Sequence, residues 1–102
     1  MLKGILVKSN GDYQVIDYED SLDTLQRIVD GYIEYVNIDD GICMIVNEEG
    51  LLRGLDYNEI GSMFYRGPLI VGDILIVGTK NGENISLSDN QIEMLLNKIK
   101  GI

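Results

Sequence analysis

The sequence predicts an α+β fold in which two or three helices pack on a mostly antiparallel sheet of about five or six strands. Short β-branched runs alternate with turn sequences at residues 9–12 and 39–41, which is typical of hairpins. Two other segments carry apolar residues at helical spacing. A chain of 102 residues has room for one core, so we predict a single domain over residues 1–102.

The first elements follow from these signals in order. Residues 2–8 and 13–17 are predicted to form a hairpin around the turn at residues 9–12. A helix is predicted to begin at a cap, Asp20 or Ser21, and to end at Gly31, because glycine favours the left-handed conformation that closes a helix. Its apolar stripe consists of Leu22, Leu25, Ile28 and Val29.

Residues 31–55 are predicted to contain the central hairpin. The returning strand, residues 42–46, is almost wholly apolar, and a strand that is apolar on both faces is usually central. Cys43 lies in this run and is the single cysteine of the chain. We therefore expect a buried free thiol and a reducing compartment.

The second half of the chain is less regular. Residues 51–55 are predicted to form a short extended piece, and residues 57–65 an irregular helix or a structured loop. Residues 69–77 read as an apolar strand bent at Gly72. Ser88 is followed three residues later by a glutamine, the pattern of a capping box, so a final amphipathic helix is expected from there.

The chain is strongly acidic. Eight Lys and Arg residues against 17 Asp and Glu residues give a net charge of −9, which argues against direct nonspecific binding of nucleic acid or of an anionic membrane. A local arginine can still hold a small anion inside an acidic protein. The sequence has no apolar stretch long enough to span a bilayer and no signal-peptide core, so a cytoplasmic protein is expected.

The residue types limit the chemistry. There is no histidine, which removes Ser-His and Cys-His nucleophiles and histidine-based metal sites. The paired acids at residues 39–40 and 48–49 lie in turns beside glycine, where carboxylates are usually solvated. Neither residues 39–40 nor residues 56–59 have the spacing of a calcium loop, and the glycines form no phosphate-binding fingerprint. We therefore predict no catalytic residue, no metal, no cofactor and no enzymatic activity.

A candidate ligand site is predicted around residues 53–66, where Arg53 and Arg66 flank a segment that contains two tyrosines and an asparagine. Tyrosine rings can stack on a base, asparagine can read its edge, and guanidinium can fork onto phosphate, so this segment is suited to a nucleotide. The alternative is that the aromatic residues pack in the core and the arginines pair with nearby acids. The candidate ligand-binding residues are Asn47, Arg53, Tyr57, Asn58, Tyr65 and Arg66.

Several motifs together resemble a known family. In the first half of the chain they are MLKGILV at residues 1–7, GYIE at residues 31–34 and NEEG at residues 47–50. In the second half they are GL at residues 54–55, Asn58, and IVGD at residues 70–73, whose first three residues recur as IVG at residues 76–78. The chain is similar in these to a domain-of-unknown-function family of small proteins encoded by phages, plasmids and other mobile elements of bacteria. The resemblance supplies no established catalytic residues that could be assigned to positions of this sequence. It implies the cytoplasm of a bacterial host and a role in counter-defence.

Three functions remain open under that resemblance. The first is a sponge that sequesters a nucleotide second messenger; the second is an acidic DNA mimic that inhibits a host defence protein, as in anti-restriction. The third is an interaction module that oligomerises without a ligand. Because the acids are spread over turns and helix ends rather than along one face, the sponge is favoured over the mimic. The abundance of Ile, Leu and Val predicts a homo-oligomer under all three.

Overall fold

The computed structural model describes residues 1–67 and 69–101, and in this part of the chain it shows a six-stranded antiparallel sheet with three helices. This confirms the predicted α+β fold. The elements are β1 (Leu2–Val7), β2 (Tyr13–Tyr18), α1 (Leu22–Val29), β3 (Ile33–Asp39), β4 (Ile42–Asn47), α2 (Glu59–Phe64), β5 (Ile74–Lys80), β6 (Glu83–Ile85) and α3 (Asp89–Lys100). The strands run in the order β2-β1-β5-β4-β3, and β6 pairs with the end of β5.

Strand β5 is the centre of the sheet. It pairs with β1, β4 and β6, and its residues Ile74–Val77 are fully buried. Ile74 and Ile76 face α2 and α3, whereas Leu75 and Val77 face α1. Strand β4 is an interior strand, as its two apolar faces predicted, because it pairs with both β3 and β5; the hairpin is not at the centre of the sheet, since β3 is an outer strand. Helices cover both faces of the sheet, so a strand beside the centre is as apolar as the central strand itself.

One predicted extended segment is wrong, and a second is confirmed only in part. Residues 51–55 form successive turns, in which the amide of Leu55 donates to the carbonyl of Gly50 at 3.0 Å. The predicted strand at residues 69–77 begins only at Ile74. Before it, residues 70–72 pair with residues 56–58, with amide to carbonyl distances of 2.9 Å from Asn58 to Ile70 and 2.7 Å from Gly72 to Asp56. Gly72, at φ +78°, turns the chain between the two pairings.

The predicted N-terminal caps of α1 and α3 are confirmed, but α1 ends one residue earlier than predicted. Ser21 caps α1, where its hydroxyl accepts from the amide of Thr24 at 3.2 Å. Asp30, at φ 62°, ends the helix one residue before the predicted Gly31, because aspartate also tolerates the left-handed region. At the start of α3 the capping box of Ser88 and Gln91 is complete, with bonds of 2.8 and 3.1 Å.

Each face of the sheet carries its own core. Ile60 of α2 and Leu95 and Ile99 of α3 pack on one face, and Leu25 and Val29 of α1 pack on the other. The expectation of a buried Cys43 is wrong in degree, because the residue is only partly buried and lines a concavity between the β3–β4 and β5–β6 turns. None of the helices described is both long and apolar enough to cross a membrane.

Tyr18 carries a buried polar group on the α1 side of the sheet. Its side chain is 2% exposed, and its hydroxyl has no hydrogen-bond partner among the described residues. Burial raises the pKa of this phenol far above its usual range, and the nearby Asp20 carboxylate and Tyr35 raise it further. The folded protein therefore holds Tyr18 in its neutral form.

We expect Tyr18→Phe to leave the free energy of unfolding at pH 7 unchanged or to raise it by about 1 kcal/mol, because the substitution removes an unsatisfied hydroxyl.

In the natural protein the phenol of unfolded Tyr18 ionises from about pH 10 while that of folded Tyr18 stays protonated, so the free energy of unfolding falls as pH rises above that value. Urea denaturation between neutral and alkaline pH measures both effects. Tyr18→Phe should flatten the alkaline decline, and Tyr32→Phe, at an exposed tyrosine, should not. A loss of more than about 1 kcal/mol at neutral pH would contradict this account of Tyr18.

Candidate functional site

An apolar groove lies on the side of the sheet that carries α2 and α3. Its volume is about 430 Å³, within the range of ligand and peptide sites. The buried residues Val36, Val46 and Val71 form its floor. Around it stand exposed leucines from two irregular segments: Leu51 and Leu52 follow β4, and Leu69 follows α2, with exposed fractions of 60%, 90% and 61%.

The charged residues of the groove are acidic. Glu34 of β3 and Glu48 after β4 both line it, and none of the described lining residues is a lysine or an arginine. Glu49 continues the acidic turn and is exposed. The groove therefore offers apolar contact together with negative charge.

Asn47 fixes the loop that presents Leu51 and Leu52. Its buried side-chain amide nitrogen donates to the carbonyls of Val29 and Asp30 at 3.0 and 3.1 Å. Its side-chain oxygen accepts from the backbone amide of Glu49 at 2.8 Å. One amide thus satisfies carbonyls that the end of α1 leaves unpaired and ties them to the loop after β4.

Arg53 strengthens the same junction. Its guanidinium donates to the carbonyl of Asp30 and forms an ion pair with the Asp30 carboxylate at 3.1 Å. Gly31 lies beneath both side chains: a β-carbon there would stand 2.7 Å from the Asn47 amide nitrogen and 3.0 Å from the Arg53 guanidinium. Only glycine leaves room for this contact.

Asn58 holds the other irregular segment. It is buried and caps α2, and its side-chain oxygen accepts from the amide of Gly61 at 2.8 Å. Its side-chain nitrogen donates to the carbonyls of Val7 and Gly72 at 3.2 and 2.8 Å. Asn58 thereby joins α2 to strand β1 and to the segment that leads into β5.

A family model for a domain of unknown function, DUF3846, matches residues 2–100. The chain belongs to this family. The match confirms the expectation of a domain-of-unknown-function family. Comparison with the curated proteins and with the solved structures found no match.

The structure of this DUF3846 domain does not gather the six predicted ligand residues around one cavity. Asn47 and Tyr65 line the groove. Arg53 lies at the end of α1, Asn58 is enclosed beneath α2, and the half-exposed Tyr57 forms a β-bridge with Val71. Arg66 is exposed, and within the described residues its side chain has no hydrogen bond or ion pair. Binding of a nucleotide by these residues stays a prediction.

The exposed leucines of the groove are not among the residues predicted from the sequence. Leu51 and Leu52 follow an acidic turn, and together with Leu69 they are exposed in irregular segments where polar residues are usual. Adjacent leucines in a turn are the signal that could have identified them, since exposed apolar patches mark interaction sites. Among the described residues no three carboxylate or thiol side chains come together in a way that could hold a metal ion.

We expect Asn58→Ala to lower the free energy of unfolding by about 3 kcal/mol, because it removes a helix cap and the two buried hydrogen bonds that the side chain donates to the carbonyls of Val7 and Gly72. Chemical denaturation measures the loss. Asn97→Ala is the matched control, because Asn97 is exposed on α3 and alanine favours a helix. If Asn58→Ala were as stable as the natural protein, Asn58 would have no structural role.

Proposed function

We propose that this DUF3846 domain is a binding protein without catalytic activity, encoded by a phage, plasmid or other mobile element of bacteria. In this proposal it works in the cytoplasm of the host and occupies a defence protein of that host. The apolar groove with its acidic lining carries the proposal. The mobile-element origin is supported by the motifs at residues 1–7, 31–34 and 47–50.

The exposure of the groove favours a protein as its partner. Leu51, Leu52 and Leu69 keep most of their surface in water around a single cavity. Burial of such side chains against a partner stabilises a complex by about 1.5–3 kcal/mol for a fully buried leucine. A contiguous patch of this kind is typical of a protein interface.

The charge of the groove favours a basic, apolar segment as the occupant. Glu34 and Glu48 line the cavity, and the whole chain carries a net charge of −9. Lysine or arginine side chains on a partner would meet these carboxylates while its leucine or aromatic side chains fill the apolar floor. The long-range field of the acidic chain would also speed the approach of such a partner.

We expect a labelled amphipathic peptide of leucine and lysine to bind this protein, and the matching peptide of leucine and glutamate not to bind. Fluorescence anisotropy measures both. Leu51→Ser should weaken binding about tenfold, which corresponds to about 1.4 kcal/mol of lost contact. Leu22→Ser is the matched control, because Leu22 is 59% exposed, as Leu51 is 60% exposed, but lies on α1 away from the groove.

Equal binding of the two peptides, or equal weakening by Leu22→Ser, would contradict the proposed site. Binding that survives Leu51→Ser but falls steeply with salt would instead favour the DNA-mimic alternative, in which the acidic surface meets the partner.

A nucleotide second messenger is the second candidate for the groove. The ring of Tyr65 lines the cavity, and the exposed Arg66 follows it in the chain, so a base could stack on the ring while the guanidinium holds a phosphate. Glu34 and Glu48 disfavour this candidate, because they repel phosphate.

Native mass spectrometry with cyclic dinucleotides, cyclic ADP-ribose isomers and ordinary nucleotides tests the second candidate. If the sponge is correct, the protein retains one nucleotide per site and Arg66→Ala releases it. Arg27→Ala should leave the nucleotide bound, because Arg27 lies on α1 and pairs there with Asp23. Retention of no nucleotide would exclude the sponge for these ligands and leave the protein partner.

A further inference from the structure

Strand β2 forms an outer edge of the sheet. Its register with β1 is uninterrupted over six pairs, from Leu2 opposite Tyr18 to Val7 opposite Tyr13. In the part of the chain that the structure describes, no hydrogen bond reaches the backbone of β2 from its outer side. Such an edge presents backbone donors and acceptors that can pair with another strand.

The outer strands at the two ends of the five-strand order, β2 and β3, differ in how they resist such pairing. At the opposite edge, the register of β3 is irregular between Asn37 and Asp39, and Glu34 places a charge on the strand. Bulges and charges are the usual protection of an edge. Strand β2 has no bulge, glycine or proline, and its single charge, Asp17, is paired with Lys3 at 3.1 Å.

Charge also favours contact at β2. Residues 1–18 contain two lysines and two aspartates, so the β1–β2 hairpin is formally neutral. The net charge of −9 therefore lies in residues 19–102. Two copies of this acidic chain repel one another over most of their surface but much less at this hairpin.

We propose that two copies pair through β2 in antiparallel orientation and form one continuous sheet. The two-fold axis passes between Val15 of each copy, which places Tyr13 opposite Asp17 and Gln14 opposite Ile16. An axis at Asp17 would place the two Asp17 carboxylates directly opposite each other, and like charges in that position are unfavourable. An axis at Ile16 would place each Asp17 carboxylate opposite the apolar Val15 of the other copy, which cannot pair with it. The apolar groove, lined by residues of β3 and β4, lies toward the other edge and stays open.

Cysteine cross-linking in a Cys43→Ser background tests the pairing and its register. In Val15→Cys the two cysteines face each other across the axis, with α-carbons about 4.5–5.5 Å apart, a separation that a disulfide spans. After oxidation, Val15→Cys should run in denaturant without reductant at twice the mass of the 11.4 kDa chain. Gln14→Cys, whose cysteine lies two residues out of register with that of the other copy, and Glu34→Cys, on the other edge, should form no disulfide-linked dimer under the same conditions.

Sedimentation of the natural protein and of Val15→Lys gives an independent readout. Val15 is 39% exposed, so lysine can replace it without loss of the core, and circular dichroism confirms that the variant folds. The natural protein should sediment with twice the mass of Val15→Lys. A natural protein that stays monomeric, a dimer that survives Val15→Lys, or equal cross-linking of Val15→Cys and Glu34→Cys would overturn the proposal.

Discussion

Two buried asparagine amides hold together the part of the molecule that has no regular strand pairing. Asn47 bonds its own loop to the end of α1, and Asn58 bonds the start of α2 to β1 and to the carbonyl of Gly72. A neutral amide is suited to these positions because it accepts and donates at the same time. A carboxylate would offer no donor to the carbonyls that each side chain meets. The groove depends on these bonds, because they fix the segments that carry its exposed leucines.

The sequence predicted the elements that depend on neighbours in the chain. The first hairpin follows from its turn, and the caps at Ser21 and Ser88 follow from side chains that bond amides three residues away. The central position of β5 and the pairing of residues 56–58 with 70–72 depend on contacts between distant parts of the chain. Because β4 and β5 share the same apolar pattern, the sequence alone could not rank them.

The candidate site was harder to predict for a related reason. Arg53 and Asn58 are predicted ligand residues because their donors suit a nucleotide, but the same donors suit backbone carbonyls, and the fold supplies those carbonyls at Asp30, Val7 and Gly72. For leucine the opposite error arises, because a leucine in a sequence is normally predicted to be buried in the core. The two leucines after the acidic turn are a sign of exposure, but only the folded chain shows that Leu51, Leu52 and Leu69 lie around one groove.

The separation of charge along the chain gives the two surfaces different physical characters. The β1–β2 hairpin is neutral and ends in a regular edge, whereas the groove beside β3 and β4 combines leucines with carboxylates. The neutral edge of the hairpin can approach the same edge of a second copy without charge repulsion, whereas the acidic groove attracts a basic partner. Because they lie toward opposite edges of one sheet, occupation of one does not block the other. A dimer through β2 would carry two grooves, so a partner with two suitable segments would bind more tightly than either groove alone permits.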